Sequence, residues 1–426
     1  MNQRMQALCA FLNNTHSFYH AAARVASWLD EAGYTRLNES ADWNLTPGGK
    51  YYICRGGCSV LAFRIPESNP SGFMISGSHL DYPTFRVKEN GELTGKYTRL
   101  ATEKYGGMLA APWLDRPLSI AGRVMVQTEE GIQPRLIDID RDLALIPNVA
   151  IHMNRNANEN QSFNFAVDML PLLGTGNTAG VLEQMLEEAA GGKILGSDLY
   201  LYVRQQPSVW GLKEEFISAP ALDNLLGVWG CAQGFLKAEP SGSIPVLTVF
   251  DSEEVGSNSA QGADSTLLSS NLARISRCLN LDHDRMLANS MMASVDMAHA
   301  LHPNHPELAD ATNAPVLNGG VVLKFNASKT YTTCGLTSAL FRTICGKVNV
   351  PCQTYYNRAD MRGGSTLGYI SLNHVSVPSV DIGLAQLAMH SCFETVGVED
   401  CIHLENAMTA YYSTTLETDG ENYILK

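Results

Sequence analysis

The chain has no apolar run of about 18 residues, so nothing in it reads as a membrane-spanning helix. Met1 to Asn14 lack the long apolar stretch and small-residue cleavage site of a secretory leader, and a mature N-terminus is expected. Basic side chains are in short supply: 30 against 43 acidic, a formal charge of −13 over 426 residues. General nucleic-acid and anionic-membrane binders need basic surface, so neither kind of partner is expected. The ten cysteines are scattered, and Cys54 and Cys58 have no second pair at zinc-ribbon spacing. They read as reduced, mostly buried thiols, which together with the missing leader points to the cytoplasm. Neither a Gly-x-Ser-x-Gly elbow nor a phosphate loop ending in Gly-Lys-Ser/Thr is present. Gly174-Thr175-Gly176-Asn177-Thr178-Ala179 matches a dinucleotide fingerprint, but Pro171 stands where its strand should be. No βαβ context surrounds it, so nicotinamide binding is not expected.

What is present is a globular composition, 45% apolar and 17% charged, in a length suited to two compact units. Phe18, Ala22, Val25, Ala26 and Leu29 recur at helical spacing, with Gly33 as a stop. Tyr51–Cys54, Ser59–Arg64 and Phe73–Ser76 read as strands, the last running into Gly77, Ser78 and His79. From about Leu93 to Gly211, short strand candidates such as Leu118–Gln127 and Arg135–Ile139 dominate, and helical signal is sparse until Val181–Ala190. Beyond about Phe216 the texture alternates: Leu222–Lys237 as helix, Ile244–Phe250 as buried strand, Cys401–Thr414 as a last helix. Alternating strands and helices imply an α/β layer sandwich with a mostly parallel central sheet. The expected organisation is one discontinuous α/β domain, residues 1–92 and 217–426, interrupted by a β-rich insertion, residues 93–216. No internal repeat or low-complexity tract is apparent.

The chemistry-bearing residues stand at the ends of apolar strands, where open α/β sheets place functional groups. His79-Leu80-Asp81 follows the Phe73–Ser76 strand; a His can ligate a metal while a neighbouring carboxylate holds its other nitrogen, a role open to Asp81. Asp223 lies at a strand-to-helix junction, where a plain N-cap is the competing reading. Four Glu-Glu pairs occur in the chain, but only Glu253-Glu254 follows a buried-strand pattern, Val246–Phe250, and precedes a glycine turn. Several acids at such a strand end are costly unless paired or metal-bound. Asp296 and His390 complete the set, giving two His, three carboxylates and one Glu to spare. Imidazole with carboxylate suits zinc, with cobalt or manganese also accommodated. Such a set can hold two ions, with the spare Glu free to take a proton from a shared water.

The order His-x-Asp, Leu-Asp-Asn, Glu-Glu-Val-Gly-Ser, Asp-x-x-His-Ala, Met-His-Ser resembles the aspartyl aminopeptidase family of zinc exopeptidases. Tyr105-Gly106-Gly107, Trp113-Leu114-Asp115-Arg116-Pro117-Leu118, Ala150-Ile151-His152 and Gly363-Gly364-Ser365-Thr366-Leu367-Gly368 extend the resemblance along nearly the whole chain. It implies a three-layer zinc-exopeptidase-like domain with an inserted oligomerisation domain. It further implies that His79 and Asp296 hold one metal and Glu254 and His390 the other. Asp223 would bridge, Glu253 act as base, and Asp81 support His79. The family commonly has His-Thr-Asp-Ser-Pro where this chain has His79-Leu80-Asp81-Tyr82-Pro83, which alters the cleft wall beside the ligand.

The activity so implied is removal of the first residue, acidic or neutral, from short peptides by a water activated between two divalent ions. Lys324, inside the strand pattern Val321–Phe325, either snorkels to solvent or faces the specificity pocket, as the resemblance suggests. His152, or loop donors around Gly364 and Ser365, would stabilise the oxyanion. By periodicity His152 is a half-buried strand residue; the resemblance makes it a donor to a partner subunit's site, in a dimer-based assembly that reaches a dodecamer. His299, His302 and His305 read as a shaped, proline-bearing loop. The competing functions are another two-metal amide hydrolase, such as a deacylase or carboxypeptidase, and a non-enzymatic assembly protein on the same fold.

Overall fold

The strands that carry the site are apolar along their whole length, and that composition dictates burial on both faces. Every residue of Gly72–His79 and of Ser243–Phe250 is buried. The structure, a computed structural model, describes residues 3–240, 242–361, 363–364 and 366–426. Its largest sheet has nine strands among the described residues, with Ser243–Phe250, Gly72–His79, Met291–Val295 and Ser379–Gly383 at the centre. These four run parallel to one another. Lys50–Arg55 and Ser59–Arg64 form an antiparallel hairpin against one side.

Side-chain alternation along these strands divides the interior into two cores. Val60, Met74, Leu247 and Val249 face one side, together with Val25, Trp229, Tyr411 and Tyr412 from the helices Phe18–Glu31, Leu222–Lys237 and Val398–Ser413. Leu61, Phe73, Ile75 and Val246 face the other, against Leu267 and Ile275 of the helix Leu267–Cys278. The result is the expected three-layer α/β arrangement with a mostly parallel central sheet. No helix is long and apolar enough to cross a membrane.

A second, fully antiparallel sheet of six strands takes in Thr84–Leu93, Tyr97–Tyr105, Leu118–Thr128, Gly131–Asp138, Leu172–Thr175 and Ile194–Val203. Its strands thus begin at Thr84 and end at Val203. Phe85, Trp113, Ile120, Val124 and Leu201 form its core, on which the helix Val181–Ala190 packs through Leu182, Leu186 and Ala190. Leu172–Thr175, which opens the glycine fingerprint, is an antiparallel strand of this sheet, so the motif has no βαβ setting.

Three features depart from the sequence reading. A helix at Gln3–Leu12 precedes the first expected one. A third sheet orders Ser208–Trp210, Phe216–Ala219, Glu394–Gly397, Ala385–Leu387 and Ala298–His299. Its strands are two to four residues long and pair across as many as 175 positions or more, as in Ala219 with Glu394, so local pattern carries little trace of them. The strand expected around His152 is instead an exposed turn closed by the Met153 N–H on the Ala150 carbonyl (2.8 Å). Its alternating Val149, Ile151 and Met153 are 51%, 50% and 83% exposed; the alternation marks an outward-facing apolar loop, not a sheet face.

Where the sheet meets the site, Gly383 passes so close to the Asp296 carbonyl oxygen that an added methyl group would overlap it, while the Asp296 N–H donates to the Ile382 carbonyl (2.9 Å). Gly383→Ala should therefore destabilise the fold by about 1–3 kcal/mol, the usual cost of forcing an extra carbon into a packed interior. Chemical denaturation checks this; an unchanged midpoint would contradict the close approach.

Candidate metal centre

The parallel register brings His79 level with Phe250, so the chain leaving Phe250 must turn over the end of the His79 strand. It does so in a single short turn, Glu253–Val255, bracketed by Ser252 (φ 66°) and Gly256 (φ 96°), both left-handed. Asp296 follows the neighbouring strand Met291–Val295, and His390 follows Ala385–Leu387 in a turn where Ala388 (φ 58°) and His390 (φ 66°) are also left-handed. Asp223 enters from the start of the helix Leu222–Lys237, where its own φ and ψ are not helical. Its side chain makes no cap, which removes the N-cap reading. Gly106 (φ 73°) lies under Glu254: a Cβ there would come within 3.2 Å of the Glu254 Cβ. This accounts for the glycine beside Tyr105.

Asp223 is the geometric centre of the group. Its Oδ1 lies 3.7 Å from His79 Nε2 and its Oδ2 lies 3.7 Å from His390 Nε2. His79 Nε2 is 3.5 Å from Asp296 Oδ1, and His390 Nε2 is 3.3 Å from Glu254 Oε1. Ligand-capable atoms of three sets converge within 4.8 Å of one another: His79, Asp223 and Asp296; His79, Glu253 and Glu254; and Asp223, Glu254 and His390. The five expected ligands and Glu253 are thus brought together.

The residues around them divide the supporting work. The His79 Nδ1–H donates to the Asp81 backbone carbonyl (3.0 Å), while the Asp81 carboxylate stands at 3.5 Å. That fully buried carboxylate serves chiefly elsewhere, accepting the Glu253 N–H (3.0 Å), the Glu254 N–H (3.0 Å) and the Tyr105 hydroxyl (2.9 Å). Lys324 does not snorkel. It is 2% exposed, donates to Asp296 Oδ2 (3.1 Å) and the Met297 carbonyl (2.9 Å), and lies 5.1 Å from the Tyr331 ring centre. His299, Tyr331 and Gly364 join these residues in lining the cavity. His152 is not among its lining residues, and Ser365 lies outside the described residues. Glu394, Tyr105, Tyr331 and His299 were not singled out as site residues from sequence.

The electrostatics are those of crowded acids. Burial, with Asp296 nearby, pushes Asp223 up to about 8, and burial likewise pushes Glu253 up to about 8. Burial disfavours charge on His390, but its contact with Glu254 prevails and raises it to about 9. Asp296 goes the other way: burial opposes ionisation, yet Lys324 holds its carboxyl well below the usual range. Asp223 Oδ1 is buried and has no hydrogen-bond partner. A carboxylate with a free buried oxygen, facing an imidazole on either side, fits a divalent cation, whose charge offsets the repulsion. The imidazole and carboxylate donors are those zinc accepts.

A family model described as aminopeptidase I zinc metalloprotease (M18) matches residues 11–412. A Clostridium novyi protein named "Probable M18 family aminopeptidase 2" is 40% identical, the alignment covering 95% of this chain and 98% of that one. A Pseudomonas aeruginosa protein of the same name is 39% identical over 96% and 98%. Among solved structures, a chain of the cryo-EM structure of the Ape4 and Nbr1 complex superposes with a TM-score of 0.92 at 32% identity, over 96% of this chain and 85% of that one. The S. cerevisiae mApe1 dodecamer gives a TM-score of 0.85 at 25% identity, over 96% of each chain.

The buried Lys324–Asp296 pair generates a stability test. Lys324→Met leaves the Asp296 carboxylate without its cation, a change that costs about 3–5 kcal/mol for a buried pair. The denaturation midpoint of the metal-free variant should fall accordingly, and a midpoint equal to that of the parent chain would contradict the pairing.

Proposed function

Because this chain belongs to the M18 family of zinc metalloprotease aminopeptidases, we propose that it removes an acidic N-terminal residue from short peptides with two divalent ions, zinc foremost. The observation that carries the two-ion reading is the Asp223 carboxylate, one oxygen turned to His79 and the other to His390. In this reading His79 and Asp296 would hold one ion and Glu254 and His390 the other, with Asp223 shared between them. The chemistry such ions would supply is a lowered pKa for water and polarisation of the scissile carbonyl.

The remaining work falls to side chains of this protein. Glu253 takes the proton from the attacking water and delivers it to the departing amine. Its burial favours the protonated form, which suits it to the second half of that transfer. Asp81 holds the backbone of Glu253 and Glu254 in place. Lys324 lines the cavity and supplies the positive charge that supports a preference for an acidic first residue. Gly364, exposed in a loop at the cavity wall, is a backbone donor to the substrate in this reading; the resemblance gives the same role to Ser365, which lies outside the described residues. Leu80 and Tyr82, standing where the family commonly has Thr and Ser, keep a neutral first residue open as the alternative.

The same proposal covers assembly and location. The inserted oligomerisation unit, expected over residues 93–216, is built on the antiparallel sheet whose strands run from Thr84 to Val203, and the chain assembles through dimers into a dodecamer, as the dodecameric mApe1 supports. The exposed apolar loop carrying His152 suits it to reach another subunit's cleft and donate to the developing oxyanion. All ten cysteines are free thiols, in keeping with the cytoplasm.

Two experiments test this. Glu253→Gln should leave metal content nearly intact and lower turnover of Asp- and Glu-initiated peptides by roughly a hundredfold or more, whereas Glu254→Gln should weaken metal binding. Near-normal turnover in Glu253→Gln, or preference of the parent enzyme for Leu-initiated peptides, removes the base or the acidic specificity respectively. Mixed oligomers of His152→Ala and Glu253→Gln subunits should recover part of the activity each lacks alone, since some clefts then combine an intact base with an intact partner histidine. No recovery in demonstrably mixed oligomers would refute action between subunits.

A further inference from the structure

Glu394 is 1% exposed and stands at the edge of the metal centre, yet belongs to none of the three converging ligand sets. Both its oxygens are committed to backbone. Oε2 accepts the Asp223 N–H (2.9 Å) and Oε1 accepts the His390 N–H (2.7 Å). The fold delivers it there by sheet register: Glu394 pairs with Ala219, the last residue of the strand that leads into Asp223. It also lies four positions beyond His390, across a turn whose Ala388 and His390 both adopt left-handed φ. Residues without a glycine's freedom hold that conformation only where their surroundings impose it. The turn has two further ties, from the Ser391 N–H to the Ala388 carbonyl (2.9 Å) and from the Leu109 N–H to the His390 carbonyl (3.0 Å). Neither reaches Asp223. Glu394 alone, among the hydrogen bonds of the described residues, joins the two segments through one carboxylate.

We propose that Glu394 is a positioning residue that sets the separation of Asp223 and His390, and thereby the affinity of the metal position they share with Glu254. The proposal rests on the two-ion reading above. A carboxylate that accepts two amide N–H groups fixes both chains at once, because each bond is directional and neither can slide without losing its acceptor. Asp223 Oδ2 and His390 Nε2 stand 3.7 Å apart in this arrangement. His79 and Asp296 receive no bond from Glu394, so their shared position does not depend on it in the same way. In this respect Glu394 mirrors Asp81, which ties the amides of Glu253 and Glu254 from the opposite side.

The test is a zinc titration of the full-length, metal-stripped chain, with cobalt absorption as a second probe and circular dichroism and denaturation of the metal-free protein as the fold control. Glu394→Gln keeps the shape but turns one acceptor into a donor that opposes an N–H. The parent should bind two ions. The variant should hold the ion at the Glu254 and His390 position 10- to 100-fold more weakly, the usual effect of losing a group that orients a ligand, and weaken the other, which shares Asp223 but not His390, by a clearly smaller factor. Excess zinc should restore part of its turnover. Two ions bound as tightly as in the parent would overturn the proposal alone. So would equal weakening of both ions with a lowered metal-free midpoint, the mark of a merely structural role. A parent that binds no divalent ion overturns the two-ion reading, and this proposal with it. Should Glu394→Gln not fold, Glu394→Asp, which keeps the charge but shortens the reach, is read in the same way. Amide exchange of the metal-free parent is independent of any variant: slow exchange at both Asp223 and His390 is expected, and fast exchange at either overturns the bridge.

Discussion

The mutual repulsion of buried carboxylates is the constraint on which this structure turns. Asp81, Asp223, Glu253, Glu254, Asp296 and Glu394 converge at the carboxyl ends of the central strands, with Asp81, Asp223 and Glu394 buried and the other three only partly open to water. Acids in such surroundings either neutralise or find compensating charge and hydrogen bonds. The fold uses three means. Lys324 compensates Asp296. Backbone amides satisfy Asp81 and Glu394. Two imidazoles face the remaining oxygens but leave Asp223 Oδ1 unsatisfied. A divalent cation is the compensation that the protein itself does not supply, which links the stability of this region to metal binding.

Local conformational cost is concentrated at the same place. Ala221, Ser252, Ala388 and His390 all have left-handed backbones in the segments that carry the converging acids and histidines, and such residues persist only where surrounding structure determines them. The surrounding structure here is a parallel sheet buried on both faces between two helical layers. Its strand ends are rigid because each is packed above and below, and the turns that leave them inherit fixed starting points. The site is therefore assembled from short loops on a stiff frame, the arrangement that holds catalytic groups to narrow tolerances.

The antiparallel sheet stands apart in chemistry as well as in connectivity. It has its own core around Phe85, Trp113 and Ile120 and contributes Tyr105 and Gly106 to the site, one as a donor to Asp81 and the other as the gap that admits Glu254. It also carries the outward-facing Val149, Ile151 and Met153.

Residue type and period by themselves determined the layered α/β class, the mostly parallel sheet and which acids and histidines stand at the strand ends. Short continuous apolar runs bounded by turn residues read as buried strands, and several acids placed directly after one are costly unless paired or metal-bound. Resemblance along the chain then distributed roles among these residues. Tertiary structure alone decided what holds them. That the Asp81 carboxylate serves Glu253 and Glu254 more than His79 depends on strands separated by about 170 positions lying side by side. That Lys324 is buried against Asp296 depends on how its strand sits beside Ser379–Gly383. That Glu394 joins Asp223 to His390 depends on the pairing of two four-residue strands. Such short strands leave no period to read, and a hydrogen bond from a carboxylate to a distant amide leaves none at all. His152 shows the same limit: alternation reports which side chains are apolar, and only the folded chain decides whether they face a core or point outward.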